Sequence, residues 1–380
     1  MYEAQPHEAS GHAQPGTPDV TVVMVPRERF GGTPEAIDAL LENTPTPFEL
    51  IVVDNNSPAS TRRYLRELAQ RPHVRVLRTD SYVTPNQARN IGWRQARTPY
   101  IVFIDNDVAF APGWLAKLIE CAEQTGADVV GPLACQFEPL HEIIHCAGGQ
   151  IMAPDELRRF LDTDDADLDD VPSFELDEMI FKQGASVADE RARLHRAPTG
   201  FVEFHCCLVT RASLQRLGGL DEHMLSTKEH LDFCLALQRL GGTIYLEPQS
   251  LITYFSFAGE RHLDWSEVPF YMLRWSDAWH EASMRHFRRK WNLADSPYFT
   301  AKRKIGSWRR SLAVARLLMQ TFRLGGTRWP GRIARALVPL ERVCNRLYTN
   351  ARARRACNPR IHEVQASGRS DASGRSAAAA

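Results

Sequence analysis

YIVFIDND, residues Tyr100 to Asp107, is a run of five apolar or aromatic residues that stops at an acid, an amide and an acid. The run has the length and β-branched content of a strand buried on both faces of a parallel sheet. Two carboxylates, Asp105 and Asp107, then stand two residues apart at the carboxyl end of that strand, with Pro112 close behind. Ligands of open α/β sheets bind at that end. Paired carboxylates are hard oxygen donors, suited to Mg²⁺ or Mn²⁺ and, through the ion, to a diphosphate. The competing reading is a plain strand-to-loop turn, because Asp and Asn favour turns on their own account.

Upstream, VTVVMV (Val20 to Val25) is a second buried strand, ended by Pro26 and a charged RERFGG loop. Thr33-Pro34 opens a helix, with Thr33 as cap and Pro34 at the first helical position. FELIVV (Phe48 to Val53) is a strand that closes into Asp54-Asn55-Asn56-Ser57. A helix TRRYLRELAQ, a short strand Val74 to Leu77, a second cap-plus-proline start at Thr84-Pro85 and a helix NQARNIGWRQA lead back to Tyr100. Downstream come a helix GWLAKLIECAEQTG and a strand Asp128 to Gly131. Strands alternating with helices predict right-handed crossovers and a Rossmann-like α/β architecture, a mostly parallel sheet flanked by helices. A ligand then lies across the loops that follow Val25, Val53 and Ile104.

The second half is less regular. A strand near Ile143 to Cys146, a Gly148-Gly149 turn and an acidic run DTDDADLDD from Asp162 come first. The run lacks the glycine and twelfth-position Glu of a calcium loop and reads as a solvated loop. FVEFHCCLV (Phe201 to Val209) is a predicted strand on which Glu203 and His205 alternate, His205 being read as a core histidine ahead of the alternative that it lines an acceptor cleft. His141 and His145 are four apart but not in a helical stretch, so they are not read as a metal pair. A helix Arg211 to Leu217 ends at paired glycines. A helix KEHLDFCLALQRL capped by Thr227 and a strand TIYLEP follow. Residues 265 to 350 are helical in period and rich in Trp and Arg.

The chain has 380 residues, with 46 basic and 46 acidic side chains, which allows two or three domains and a large core. The charge is uneven: from Arg285 to Arg360 about twenty Lys and Arg face about two acids. Eight cysteines show no CxxC pair, and Cys206 and Cys207 are adjacent. That pattern suits neither a zinc site nor a disulfide framework and points to reduced thiols in the cytoplasm. No apolar core of signal-peptide length occurs near Met1, and no run approaches the length of a spanning helix. The basic region is expected to pack on the rest of the chain with its charges in water. Peripheral docking on anionic lipid at the inner membrane face, through Trp308, Leu312, Leu317, Leu318, Phe322 and Trp329 among arginines, is the alternative, as is a polyanionic acceptor. No nucleic-acid-binding motif is present.

In this order the stretches resemble the inverting, family 2 nucleotide-sugar glycosyltransferases of the GT-A fold, over about residues 19 to 290. VTVVMVPRER resembles the first strand and its nucleotide-contacting loop, IVVDNNSPAS the "VDDGSTD" stretch, NQARNIGWRQA the "ARNxGxxxA" stretch, and YIVFIDND the strand with its DxD motif. LGGLDEHMLSTKEHLDFCLALQRLGGTIYLEP resembles "GGFDExFxxxxEDxDLCxRLxxxGxxixxxP". The resemblance implies a GT-A domain at 19–290, its nucleotide-binding half at 19–135 and its acceptor half at 136–290. Around it come a disordered segment at 1–18, a basic helical extension at 291–358 and a disordered tail at 359–380.

The resemblance also implies roles. Pro26, Arg27, Glu28, Asp54, Asn55, Arg89, Asn90 and Asp105 would contact the nucleotide-sugar donor, and Asp105 and Asp107 would hold Mn²⁺ or Mg²⁺. The acceptor hydroxyl, on a glycan, lipid or small molecule, needs a base, and the leaving diphosphate needs its charge neutralised. The base is expected among Glu229, His230 and Asp232, which begin one helix. Glu229 and Asp232 are three apart and share a face, and His230 is the best matched to neutral pH. Two departures stand out. His230 occupies the place of the family's second acid in "ED", and Tyr254 occupies the place of a histidine that often serves as a further metal or phosphate ligand. They keep open a catalytically inactive nucleotide-sugar or carbohydrate-binding relative. A sugar nucleotidyltransferase needs a Gly-rich loop ending in Arg after the first strand, which RFGGTPEA does not supply.

Overall fold

The computed structural model describes residues 19–26, 28–152, 177–255, 263–293, 297–323, 329–353 and 359–364. The first elements are β1 Val20–Val25, α1 Thr33–Asn43, β2 Glu49–Asp54, α2 Ala59–Leu68, β3 Val74–Thr79, α3 Pro85–Trp93 and β4 Tyr100–Asp105. Then come β5 Val108–Phe110, α4 Trp114–Thr125, β6 Val129–Gln136, β7 Ile144–Cys146, β8 Gly149–Met152, β9 Asp177–Ile180, α5 Val187–Glu190 and β10 Ala197–Pro198. They are followed by β11 Cys206–Thr210, α6 Arg211–Leu217, α7 Glu229–Arg239 and β12 Ile244–Tyr254. The chain continues with α8 Val268–Arg274, α9 Asp277–Trp291, α10 Pro297–Thr321, α11 Trp329–Ala353 and β13 Ile361–Glu363.

The main sheet runs in the order β10-β12-β6-β11-β4-β1-β2-β3-β13. β1 to β4 are mutually parallel where they pair, β12 runs parallel to β6, and β11 lies antiparallel between β4 and β6. The expected architecture, a mostly parallel sheet flanked by helices with a helical C-terminal region, is what forms. Every residue of β1 and all of β4 from Ile101 onward is buried, as unbroken apolar runs in a covered sheet require. α3 starts at a capping box, in which the Thr84 hydroxyl accepts from Gln87 N and the Gln87 side chain accepts from Thr84 N. It approaches β1 so closely that a Cβ on Gly92 would lie 2.3 Å from Val23 Cγ1.

Four local expectations change. Thr33 is not the cap of α1; Gly32 is, without a side-chain bond, and the Thr33 hydroxyl instead accepts from Asn106 Nδ2 at 2.9 Å. Lys228, not Thr227, precedes α7. In FVEFHCCLV only the second half pairs, with Cys206 opposite Ile104. Phe201 and Phe204 are buried ahead of that strand, so their apolar character serves packing instead of sheet pairing. Within the tail expected to be disordered, β13 adds to the outer edge of β3, with Arg75 Nε 2.7 Å from Glu363 Oε1. Residues 1–18, the acidic run from Asp162 and the end of the tail from 365 lie outside the described residues.

The C-terminal helices pack on one another through buried charge. Arg310 has no exposed side-chain surface. Its guanidinium donates to Asp277 Oδ1 at 2.9 Å, to the Trp275 carbonyl at 2.5 Å and to Glu341 Oε2 at 2.9 Å. Glu267, just before α8, accepts from the backbone N–H groups of Phe30 and Gly31, both at 2.6 Å. The loop after β1 is thereby tied to the chain that starts the helical region.

Candidate active site

β4 delivers Asp105 to the carboxyl end of the sheet with 2% of its surface exposed. A carboxylate this deep needs compensation. Arg89 Nη2 from α3 lies 3.2 Å from Asp105 Oδ1. The guanidinium is itself held by Asn86 Oδ1 at 3.2 Å and sits 4.1 Å above the Phe204 ring, a cation–π contact. The other oxygen, Asp105 Oδ2, lies 3.3 Å from His205 Nδ1. Asn106 donates its amide to the Thr33 hydroxyl and the Arg29 carbonyl, fixing the loop after β1. Ligand atoms of Asp105, Asp107 and His205 all lie within 4.8 Å of one another. The two carboxylates are hard oxygen donors suited to Mn²⁺ or Mg²⁺, and an imidazole beside them favours the transition ion of the two.

A second cluster adjoins it. His145 Nε2 is 2.9 Å from Glu203 Oε2, and His205 Nε2 is 3.8 Å from the same oxygen. Burial by itself raises the Glu203 carboxyl. The hydrogen bond from His145, and the charges of His145, His205 and His230 when those rings are protonated, outweigh it and lower the group. Tyr254, at the end of β12, stacks on the His205 ring at 4.2 Å and 17° and meets His145 edge-on at 4.6 Å.

The residues assigned to the donor are placed as follows. Pro26 is buried at the end of β1, and Arg27 lies outside the described residues. Glu28 is buried, 3.9 Å from Arg309 Nη1 of α10. Asp54 ends β2, pairs with Arg78 and accepts from Ser57 N at 2.9 Å. Asn55 clamps the Val83 backbone, accepting from its N–H at 2.7 Å and donating to its carbonyl at 2.9 Å. Asn90 does the same to Leu220, at 2.9 and 2.8 Å, and also accepts from Trp93 Nε1 at 2.8 Å. Both amides therefore hold loops in place.

At the start of α7 the three polar side chains diverge. Glu229 is buried 3.2 Å from Arg274 Nη2 of α8. Asp232 accepts from Lys290 Nζ at 2.8 Å and from Trp291 Nε1 at 2.9 Å, both on α9. Burial raises the Asp232 carboxyl despite Lys290. The predicted shared face of Glu229 and Asp232 is thus divided between two packing helices. His230 lies 5.9 Å from the Phe201 ring, and its charge acts on Glu203.

Sequence reasoning missed His205, Glu203 and His145 as members of the site. The available signal was the alternation of Glu203 and His205 along FVEFHCCLV. What brings His205 to Asp105 is the antiparallel register of β11 on β4: Cys206 faces Ile104, so the preceding residue meets the following one, and Asp105 N donates to the His205 carbonyl at 3.1 Å.

Residues 21–137, less than a third of the chain, match the family model described as Glycosyl transferase family 2. It is similar to succinoglycan biosynthesis protein ExoO of Rhizobium meliloti (strain 1021), 31% identical over 112 residues, 30% of this chain and 32% of that protein. It is also similar to validoxylamine A glucosyltransferase of Streptomyces hygroscopicus subsp. limoneus, 26% identical over 199 residues, 49% of this chain and 42% of that protein. The matched stretches thus span less than half the length of either relative. A solved structure, GalNAc-T7 with UDP, GalNAc and Mn²⁺, aligns with TM-score 0.48 at 15% identity over 76% of this chain and 57% of that one.

Proposed function

We propose that the protein is a metal-dependent inverting glycosyltransferase that moves a sugar from a nucleotide-diphospho-sugar to a hydroxyl acceptor. The observation that carries this reading is the Asp105–Asp107 pair at the carboxyl end of β4, braced by Arg89, inside a family 2 domain. Asp105 and Asp107 would hold Mn²⁺ or Mg²⁺. When bound, the ion supplies Lewis-acid neutralisation of the departing diphosphate. Asp54, Arg89 and the Pro26–Glu28 loop are assigned to the donor, and Asn55 and Asn90 to the backbone that shapes its cleft. The displacement forms a bond from the acceptor oxygen to the anomeric carbon and breaks the bond to the diphosphate. His230 takes the acceptor proton, because an imidazole is matched to proton transfer near neutral pH.

The test is a panel of nucleotide sugars with Mn²⁺, scored by release of free nucleotide, with Asp107→Ala as the comparison. Turnover with at least one donor, lost in Asp107→Ala, is expected. Donor binding without release on any acceptor moves the protein to an inactive relative. No donor binding at all removes the reading.

The described cysteines are all free thiols and all but Cys344 are buried, which supports work in the reducing cytoplasm. Among the described residues no helix is long and apolar enough to cross a membrane. A peripheral partner is favoured by α11, whose Leu340, Val343 and Leu347 are 63%, 57% and 66% exposed. Exposed Arg335, Arg342 and Arg346 lie on the same helix. We assign this face to an anionic membrane surface. Flotation with phosphatidylglycerol vesicles but not with neutral ones checks it, and equal flotation with both would remove the assignment.

A further inference from the structure

We propose that His205 is a third protein ligand of the divalent ion held by Asp105 and Asp107, and that Glu203 and His145 are the positioning residues behind it. The proposal rests on the metal reading given above. Where the family often carries a histidine, this chain has Tyr254 at the end of β12. An imidazole is nevertheless present, brought from the segment before β11, and Tyr254 packs flat against it at 4.2 Å. The tyrosine has become a wall for a histidine that enters from another strand.

The local geometry fits this role. His205 Nδ1 and Asp105 Oδ2 are 3.3 Å apart. Neighbouring ligands around an octahedral ion with bonds of about 2.1 Å stand about 3 Å apart, so the pair already has the separation of adjacent ligands. Arg89 engages the opposite oxygen, Asp105 Oδ1, while ligand atoms of Asp105, Asp107 and His205 lie within 4.8 Å of one another. The far ring nitrogen, His205 Nε2, points to Glu203 Oε2 at 3.8 Å, and that oxygen is fixed by His145 Nε2 at 2.9 Å. At 3.8 Å the Glu203 carboxylate is longer than a hydrogen bond from the ring; closing to hydrogen-bond length, a carboxylate behind a ligating histidine sets its tautomer and directs the other nitrogen's lone pair to the ion. His205 is 5% exposed, so ring reorientation is restricted by its packing.

The competing role is a charged imidazolium that merely neutralises Asp105; such a group repels a cation and cannot ligate it. Pulsed electron paramagnetic resonance of the full chain loaded with Mn²⁺, alone and with UDP or GDP, separates the two. A directly bound imidazole gives ¹⁴N modulation of the Mn²⁺ signal. That modulation should change to the ¹⁵N pattern in protein labelled with ¹⁵N-histidine. It should vanish in both His205→Ala and His205→Gln. Glu203→Gln should keep the modulation while Mn²⁺ affinity falls roughly 10–100-fold, a split that a purely structural role would not produce. Mn²⁺ that binds in an Asp107-dependent way without ¹⁴N modulation overturns the His205 assignment and leaves the metal reading standing. Modulation that survives in a folded His205→Gln also overturns it. Absence of any Mn²⁺ binding overturns both. The label experiment needs no variant, so misfolding of either substitution does not decide the result.

Discussion

Replacing Glu267 tests how the loop after β1 is held. Its carboxylate is 3% exposed and accepts from Phe30 N and Gly31 N at 2.6 Å and from Asp264 N at 2.9 Å. In Glu267→Ala three backbone donors lose their acceptor. The Phe30 N–H is buried, and leaving it unsatisfied costs about 1–3 kcal/mol. The other two are partly accessible, and each loses a net bond of about 0.5–1.5 kcal/mol. The sum centres on about 4 kcal/mol, which for a domain of this size lowers the melting temperature by about 8–16 °C. Glu267→Gln retains a carbonyl oxygen for Phe30 and Gly31 but sets an NH₂ against Asp264 N, so less than half of the loss is expected. Glu28 sits on the same loop, so affinity for nucleotide should weaken in parallel. Thermal unfolding followed by intrinsic fluorescence, with nucleotide titration of the folded variants, measures both. An alanine variant that melts within about 2 °C of the parent refutes the reasoning, because that shift corresponds to less than about 1 kcal/mol.

His230→Ala should lower turnover about 100-fold or more, leave donor affinity nearly intact and remove the acid limb of the rate profile that a histidine base imposes. Normal turnover in that variant, beside a dead Glu229→Gln or Asp232→Asn, transfers the role to the carboxylate. Asp221 lies 2.8 Å from both Lys290 Nζ and His286 Nε2. Burial would raise its carboxyl, but the bonds from Lys290, His286 and the His223 backbone hold it well below the usual carboxylate range. A depressed folded-state value stabilises the protein above the unfolded one, near about 4, and that contribution is lost as pH falls further. Asp221→Asn should therefore be less stable at pH 7, with a flatter decline below about pH 4; parallel urea midpoints for the two proteins at pH 7 and pH 3 would contradict this.

The alternation of buried strands and helices was legible because each parallel strand is written as a short β-branched run closed by turn residues, as in Tyr100–Asp105. The Thr84 cap with Pro85 behind it was legible because capping is local. Asp105 and Asp107 were singled out by their spacing at the end of a buried strand and by the company of the neighbouring motifs, and their ligand atoms do come within 4.8 Å of each other and of His205. Features that depend on distant chain were not. Glu229 and Asp232 share a helical face by spacing, yet their partners come from 45 and 58 residues further on. Thr33 has the composition of a cap, but an amide 73 residues away takes its hydroxyl. His205 reads as a core histidine until the register of β11 against β4 sets it opposite Asp105. The apolar letter of Phe204 is the same whether it pairs in a sheet or packs against Phe103 and Arg89.

β13 closes the free edge of β3, joining residues 288 positions apart. During synthesis at about 5–20 residues per second, β3 leaves the ribosome about 15–60 s before its outer neighbour exists. Through that interval the nascent chain presents an unpaired strand edge, the kind of surface on which chains aggregate or exchange segments. The late arrival of Ile361–Glu363 thus sets a window in which a chaperone, or a neighbouring copy emerging from the same polysome, competes for that edge. Slowing translation should widen the window and increase aggregated product, whereas shortening the edge's exposure, by supplying the 359–364 peptide in trans, should reduce it.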